Sequence, residues 1–426
     1  MKDTPVRSDH DPPLTSRVID RVPIHYGWVV LAAATFGMAM TIPGQTVGVS
    51  VFLDLIIDDL GLGRSAVSAT YTAGTLAGSL ALPFIGRAID RHGPRRSVIL
   101  IAVAFGLACA FMGLVNGLVM LLVGFSLIRG LGQGALSLVS VHSINIWFVR
   151  RRGLAVGLAG IGFAAATGVI PLGIEQLVDL FDWRLAYALL GLMVVLVMVP
   201  VGGGLFRHRP ELYGLHPDSS RPPPPTEAEE VHYELSDARR TFTFWLYVAG
   251  GFSMSALGTA LVFHHFSIMG TGGLDRDLAA LMFVGYGFVS AGTNLATGYL
   301  IDRVPPRFLL SAALLALVAS MLTATAVSTA AGVIAYGAAL GTMQGMNQAI
   351  QSTVYAHYFG RIHIGAIKGL ATTVTVAGAA AGPLLLAVGF DLSGSYAPVL
   401  ALSATVPALL ALASPFLPLR REGRVL

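Results

Sequence analysis

Charge is what this sequence has least of. Only 12% of its 426 residues are Asp, Glu, Lys or Arg, against about 25% in a soluble domain. The two or three soluble domains that such a length would suggest are therefore excluded. Cysteine is nearly absent: Cys109 stands alone in an apolar run, which rules out an intrachain disulfide and a thiolate metal cluster. It reads as packing. The first 25 residues are polar, with no apolar stretch leading to a small-residue cleavage site. No cleavable signal peptide is expected, and the first apolar run should act as an uncleaved anchor. Phosphate loops, HExxH pairs, GxSxG elbows and a GxGxxG after a strand are also missing. "GLGQGA" at 130–135 lies inside an apolar helical pattern, which makes it a poor nucleotide site. No cofactor, metal or enzymatic activity is expected. The sequence pI is near 9.3, but the arginines are dispersed among loops without a nucleic-acid motif, so nucleic acid is not an expected partner.

What is present is hydrophobicity: 54% of the chain, with a mean hydropathy of +0.72. A bilayer core of about 30 Å takes about 20 apolar residues per helix. Twelve such runs are expected, at 26–52, 66–88, 97–115, 118–146, 153–178, 184–206, 242–269, 277–301, 306–328, 330–357, 365–390 and 395–418. The expected class is an all-α membrane protein of twelve transmembrane helices in two six-helix bundles. Residues 207–241 differ: "RHRPELYGLHPDSSRPPPPTEAEE" is Pro-rich, charged and poor in apolar residues, as a linker is. The expected division is a six-helix bundle over 1–206, a cytoplasmic linker over 207–241 and a second bundle over 242–426. Of the 27 Lys and Arg residues, 23 fall on one side of this arrangement. Arg64, Arg184 and Arg276 fall on the other, and Arg129 lies inside a span. Basic excess marks the cytoplasmic side, which predicts cytoplasmic termini in an inner (plasma) membrane. Twelve spans independently require both termini to share a side.

The halves also repeat. "GRAIDRHGPRR" at 86–96, with four arginines, is echoed by "GYLIDRVPPR" at 298–307. "NIWFVRRRGLAVG" at 145–157 aligns with "AHYFGRIHIGAIKG" at 356–369 at nearly the same offset. Parallel repeats of this kind mark a class of secondary transporters. Gly86-x-x-x-Asp90-Arg91-x-Gly93-x-Arg95-Arg96 resembles the signature loop after the second helix of the major facilitator superfamily. Gly298, Asp302 and Arg303 are its degenerate second copy, and "LIRGLGQGA" at 127–135 resembles the fourth-helix motif, with Arg129 as its arginine. "HYGWVV" at 25–30, "WFVRRRGLAVGLAGIG" at 147–162 and "YFGRIHIGAIKG" at 358–369 resemble the monocarboxylate porter and oxalate/formate antiporter branch. The sequence departs from that branch in the eighth helix. "FVSAGTN" carries Ser290 and Asn294 where the branch carries Asp and Arg. The fifth-helix antiporter motif has only Pro171 as a weak match.

Polar side chains inside a membrane are costly and face a cavity or a partner. Here they gather in four spans: Gln45 in the first, Arg129 and Gln133 in the fourth, His264 and His265 in the seventh, and Gln344, Asn347 and Gln348 in the tenth. The resemblance implies that these four helices line the central path. Spacing puts Arg129 and Gln133 on one helical face and makes Gln344, Gln348 and Gln351 one stripe. Each has two readings. Arg129 is a structural charge or a substrate and coupling group. The histidines are packing groups or donors and proton carriers. The glutamines are cavity lining or interhelical hydrogen bonds. Asn294 enters only as a positional analogue. Glu175 and Asp54, near outer helix ends, read as solvated. The expected function is secondary active transport of a small organic solute, an anion such as a carboxylate being favoured. A neutral or weakly polar solute is the alternative. The expected partners are that solute, the lipid bilayer, and either protons or a counter-transported anion. A membrane receptor would call for a soluble effector domain, and a membrane enzyme for a nucleophile or metal cluster at mid-depth; neither is found. By resemblance Gly86, Asp90, Arg91, Gly93, Arg95, Arg96, Gly298, Asp302 and Arg303 form a conformational latch, with Asp90 pairing across the bundle interface in the outward-open state.

Overall fold

The computed structural model describes residue 19 and residues 22–148, 151–217, 233–301, 303–359 and 364–416. Every element among them is helical. In the first half these are α1 (Gly27–Ala39), α2 (Thr46–Leu60), α3 (Arg64–Leu80), α4 (Leu82–His92), α5 (Pro94–Met112), α6 (Leu118–Ile128), α7 (Ser137–Trp147), α8 (Arg152–Leu180) and α9 (Trp183–Gly204). In the second they are α10 (Leu235–Ala238), α11 (Phe242–Phe263), α12 (His265–Thr271), α13 (Arg276–Leu300), α14 (Pro306–Ala324), α15 (Ala330–Phe359), α16 (Ile364–Ser393), α17 (Tyr396–Ser403) and α18 (Thr405–Ala413). Ten helical segments are long and apolar enough to cross a bilayer. The other two expected spans are helical as well. One is α3 with α4, interrupted at Ala81. The other is the thirty-residue α15, whose glutamines lower its hydropathy. The protein is an integral, multi-pass membrane protein.

Local chemistry sets the helix ends. Asp182, Thr241 and Asp275 accept hydrogen bonds from Leu185, Phe244 and Leu278 N–H groups, satisfying donors that a helix start leaves free. "NG" at 116–117 ends the third span before α6, as its sequence predicts. The third, sixth, ninth and twelfth spans turn leucines outward: Leu100 and Leu107, Leu196, Leu322, Leu402 and Leu409 are all more than half exposed. In water such a surface would aggregate; here it is the lipid-facing surface.

The sides of the molecule can be named from contacts. Tyr26 donates to Leu205 O, His25 Nε2 lies 3.1 Å from His216 O, Tyr233 N–H reaches Phe359 O and Ser414 reaches Arg307 O. The described stretches near residues 25 and 414 and the described parts of the linker therefore share one face, the linker face. The opposite, far face holds the turns near residues 61, 115, 182 and 273. The halves meet where α8 crosses α13, and there they touch backbone to backbone. A Cβ on Gly287 would collide with Ala164 O and the Gly168 backbone, and one on Gly168 would press on Phe283 O.

Candidate functional site

Between the halves lies a cavity of about 250 Å³. Its walls come from six spans. The first contributes Gln45 and Thr46 at the break between α1 and α2, where Gln45 is extended (φ −82°, ψ 159°). The fourth contributes Gln133, the fifth Phe163 and Thr167, the seventh Thr259, the eighth Tyr286 and Ser290, and the tenth Gln344 and Gln348. The lining is amide, hydroxyl and aromatic, with Val47, Ala164 and Val262 as its aliphatic part, and with no Asp, Glu, Lys, Arg or His among its residues. Such a surface offers donors and acceptors to a small polar solute while holding no fixed charge in contact with it.

Four of the expected residues, Gln45, Gln133, Gln344 and Gln348, are thus brought together. Gln133 Oε1 is buried without a hydrogen-bond partner, so it has an unspent acceptor. Asn294 stands at an adjoining recess between α8 and α13, donating to Gln348 Oε1 at 2.5 Å. Asn347 does not line the cavity, and its Oδ1 is buried and unpaired.

Arg129 does not line the cavity either. From 129 to 136 the fourth span is a π-helix, whose turn is wider than an α turn. Gln133 lines the cavity and Arg129 does not, although their spacing suggested a shared face. Arg129 is fully enclosed. Its Nε donates to Thr75 Oγ1 and one Nη1 hydrogen bond goes to Gly44 O, both at 3.1 Å. Its guanidinium lies 4.9 Å from the centre of the Tyr71 ring. Nη1 is also 3.5 Å from Thr46 Oγ1, and Thr46 is a wall residue of the cavity. The charge therefore sits one side chain behind the lining, with no carboxylate among its partners.

The two histidines are also placed away from the cavity. His264 ends α11 with Nε2 2.8 Å from Pro383 O and Nδ1 3.4 Å from Tyr396 Oη. His265 has Nε2 2.8 Å from Ala279 O and stacks on Tyr336. Both are fully buried. They break the seventh span and tie it to the eleventh and eighth, and neither lines the central cavity.

The far face holds what sequence reasoning missed. Glu175 is not solvated: it is 1% exposed and takes a two-pronged grip from Arg276, Nε to Oε1 at 2.5 Å and Nη2 to Oε2 at 3.0 Å. The same Nη2 reaches Val51 O at 2.5 Å. Arg64 is 2.9 Å from Asp54 and 2.5 Å from Ser267 Oγ, and Ser267 in turn donates to Asp54. Ser65 donates to Asp391. Asp54, Arg64, Ser65 and Glu175 belong to the first half; Ser267, Arg276 and Asp391 belong to the second. Arg184 pairs with Asp59 at 2.6 Å and holds Gly113 O and Val115 O, entirely within the first half. All three far-face arginines are therefore paired. Their signal was present: three lone cations on a face otherwise free of them.

At the linker face the expected signature loop is mostly helix. α4 continues through Gly86 and Arg91 to His92; the chain turns at Gly93 (φ +78°) and α5 starts at once, carrying Arg95 and Arg96 in its first turn. Arg303 folds back on its own helix, donating to Tyr299 O at 2.9 Å with its guanidinium over the Tyr299 ring. Gly298 lies in α13. Asp302 lies outside the described residues.

The chain is similar to several named transporters. It is 32% identical over 299 residues to human monocarboxylate transporter 11, covering 67% of this chain and 59% of that protein. It is 28% identical over 144 residues to the oxalate:formate antiporter of Oxalobacter formigenes, 34% of each chain. The match thus spans about six tenths of the length of the monocarboxylate transporter 11 proteins. Among solved structures it superposes on a bacterial homologue of the human lysosomal transporter Spinster, inward-facing and occupied, with a TM-score of 0.66, 16% identity and coverage of 92% and 96%. With residues 28–383 matching that family, the chain belongs to the Major Facilitator Superfamily, a family of transporters and not of enzymes.

Proposed function

We propose that this transporter carries a small organic anion of the carboxylate class by alternating access, with Arg129 as its electrostatic anchor. One observation carries the reading: a buried guanidinium without a carboxylate partner stands directly behind Thr46 of the cavity wall. An enclosed, uncompensated charge is costly, and an anion in the cavity would compensate it. The neutral amides and hydroxyls of the lining then orient the carboxylate. The names of the relatives, monocarboxylate transporter and oxalate:formate antiporter, support the substrate class. Inside-positive charge supports a cytoplasmic linker face. The test is uptake of labelled small carboxylates into proteoliposomes. Arg129→Gln should lower apparent affinity by about 2 kcal/mol or more, roughly thirtyfold, and Arg129→Lys should retain part of it. Uptake of neutral solutes alone, unchanged in Arg129→Gln, would overturn the reading in favour of a polar, uncharged substrate, which the charge-free lining favours.

For coupling, the geometry favours Glu175 over the histidines. It is the one buried carboxylate among the described residues. Its cation Arg276 belongs to the other half, so opening the far face removes the charge that holds Glu175 ionised and makes proton uptake easier. In Glu175→Gln, exchange of substrate between the two sides should continue without its pH dependence. An unchanged pH dependence would remove Glu175 from this role.

A further inference from the structure

The linker face contains a second cavity, of about 560 Å³, unrelated to the central one. Arg91, Arg95, Arg96, His92, His208 and Tyr213 line it. It is assembled from three pieces of chain. α4 ends at His92 and brings Arg91. The turn at Gly93 aims the start of α5 back across it, bringing Arg95 and Arg96. The chain leaving α9 forms the third side, where His208 rests on Gly93 and Tyr213 closes a short 3₁₀ turn, Pro210–Tyr213. A Cβ on Gly93 would overlap the His208 ring, so the turn and the imidazole fit only because residue 93 has no side chain. Tyr26 and His25 hold the same segment through Leu205 O and His216 O.

The electrostatics of this pocket are one-sided. Three guanidinium groups converge on it, and among the described residues none has a carboxylate partner, whereas Arg64, Arg184 and Arg276 each have one. Burial, then the charges of Arg96 and Arg95, hold the His208 ring below the usual imidazole range. Among the described residues the pocket therefore has no carboxylate counterion. Its remaining wall, Ile99, is followed along α5 by Leu100 and Leu107, which are 68% and 67% exposed on the lipid-facing surface. The cavity therefore sits where the helix leaves the membrane, at headgroup depth.

We propose that this pocket binds the phosphate of an anionic lipid headgroup in the linker-face leaflet. Guanidinium forks match phosphate oxygens in pairs. The Tyr213 hydroxyl and the two imidazoles add donors, and basic pockets beside membrane helices recognise such headgroups. The bound headgroup would tie the start of the central linker to α4 and α5. Binding should tighten as pH falls, because phosphate favours the imidazolium of His208 against Arg91, Arg95 and Arg96 on the facing helices, with His92 beside them and Arg207 and Arg209 on its own segment.

The test uses the full chain in nanodiscs of phosphatidylcholine alone or with phosphatidylglycerol. Native mass spectrometry counts retained lipids and thermal unfolding follows stability. The wild type should retain phosphatidylglycerol and unfold at higher temperature in its presence. Arg95→Gln with Arg96→Gln should lose affinity about thirtyfold while unfolding normally in phosphatidylcholine. If the double variant does not fold, His208→Gln alone should show the same loss in part. Equal retention of phosphatidylglycerol by wild type and variants would overturn the proposal. Inorganic phosphate that stabilises the delipidated protein, with no preference for phosphatidylglycerol, would overturn the lipid and reassign the pocket to a soluble phosphate.

Discussion

The two faces of this protein carry arginine in opposite ways. At the far face Arg64, Arg184 and Arg276 each hold a carboxylate, and two of the three pairs bridge the halves or bond to a bridging serine. At the linker face Arg91, Arg95 and Arg96 surround a cavity with no described carboxylate against them. The difference teaches that net charge per face is a poor guide to what its arginines do. A few cations among acids form a clasp, and many cations without acids form a receptor for something else. The one described ion pair between the halves, Glu175–Arg276, lies at the far face with the Ser267 and Asp391 hydrogen bonds, so the clasp is closed there and must open for the cavity to be reached from that side.

The comparison can be broken most sharply at Glu175. Glu175→Ala removes the buried half of the clasp. It should cost the far-closed state about 2 kcal/mol, below the roughly 3–5 of a fully buried pair, because 32% of the Arg276 side chain is exposed. Labelling of Thr259→Cys from the far face, in a Cys109→Ser background, should then rise about thirtyfold. Next comes the linker face. Gly93→Ala forces a side chain into φ +78°, ψ 161° and into His208, at a cost of about 1–3 kcal/mol. Its melting temperature should drop while Thr259→Cys labelling stays unchanged. Arg64→Ala acts on a partly exposed pair and should shift far-face labelling by about 1 kcal/mol or less, up to fivefold. Arg184→Ala closes the series. Its pair lies within one half, so stability should fall by less than about 1 kcal/mol and accessibility should not move. A far-face opening in Arg184→Ala as large as in Glu175→Ala would end the distinction between clasp and internal brace.

Much of this arrangement was legible in the sequence, because a membrane penalises polar groups one at a time. Gln45, Gln133, Gln344 and Gln348 stood out for that reason and do line one cavity. Tyr286, Ser290 and Asn294, spaced by four in the eighth span, carried the same signal in weaker side chains. The π turn at 129–136 was not legible. Its glycines pack tightly, Gly130 on the Gly78 backbone, Gly132 on Phe105 and Gly134 on Leu82, and such contacts are not written in the local sequence. The histidines misled because their partners, Pro383 O and Ala279 O, are main-chain groups on other helices, which no side-chain pattern announces. Glu175 and Arg276 are 101 residues apart and in different halves, so only the packing of α8 on α13 pairs them.

The bare contact of Gly168 with Gly287 has a mechanical consequence. It lies part-way along two crossing rods, with the Glu175–Arg276 pair near one end of both. At 1.5 Å per residue, Gly168 is roughly 10 Å from Glu175 and roughly 24 Å from the start of α8. The crossing works as a fulcrum with unequal arms: a small parting at the clasp sweeps the longer arm through more than twice the distance.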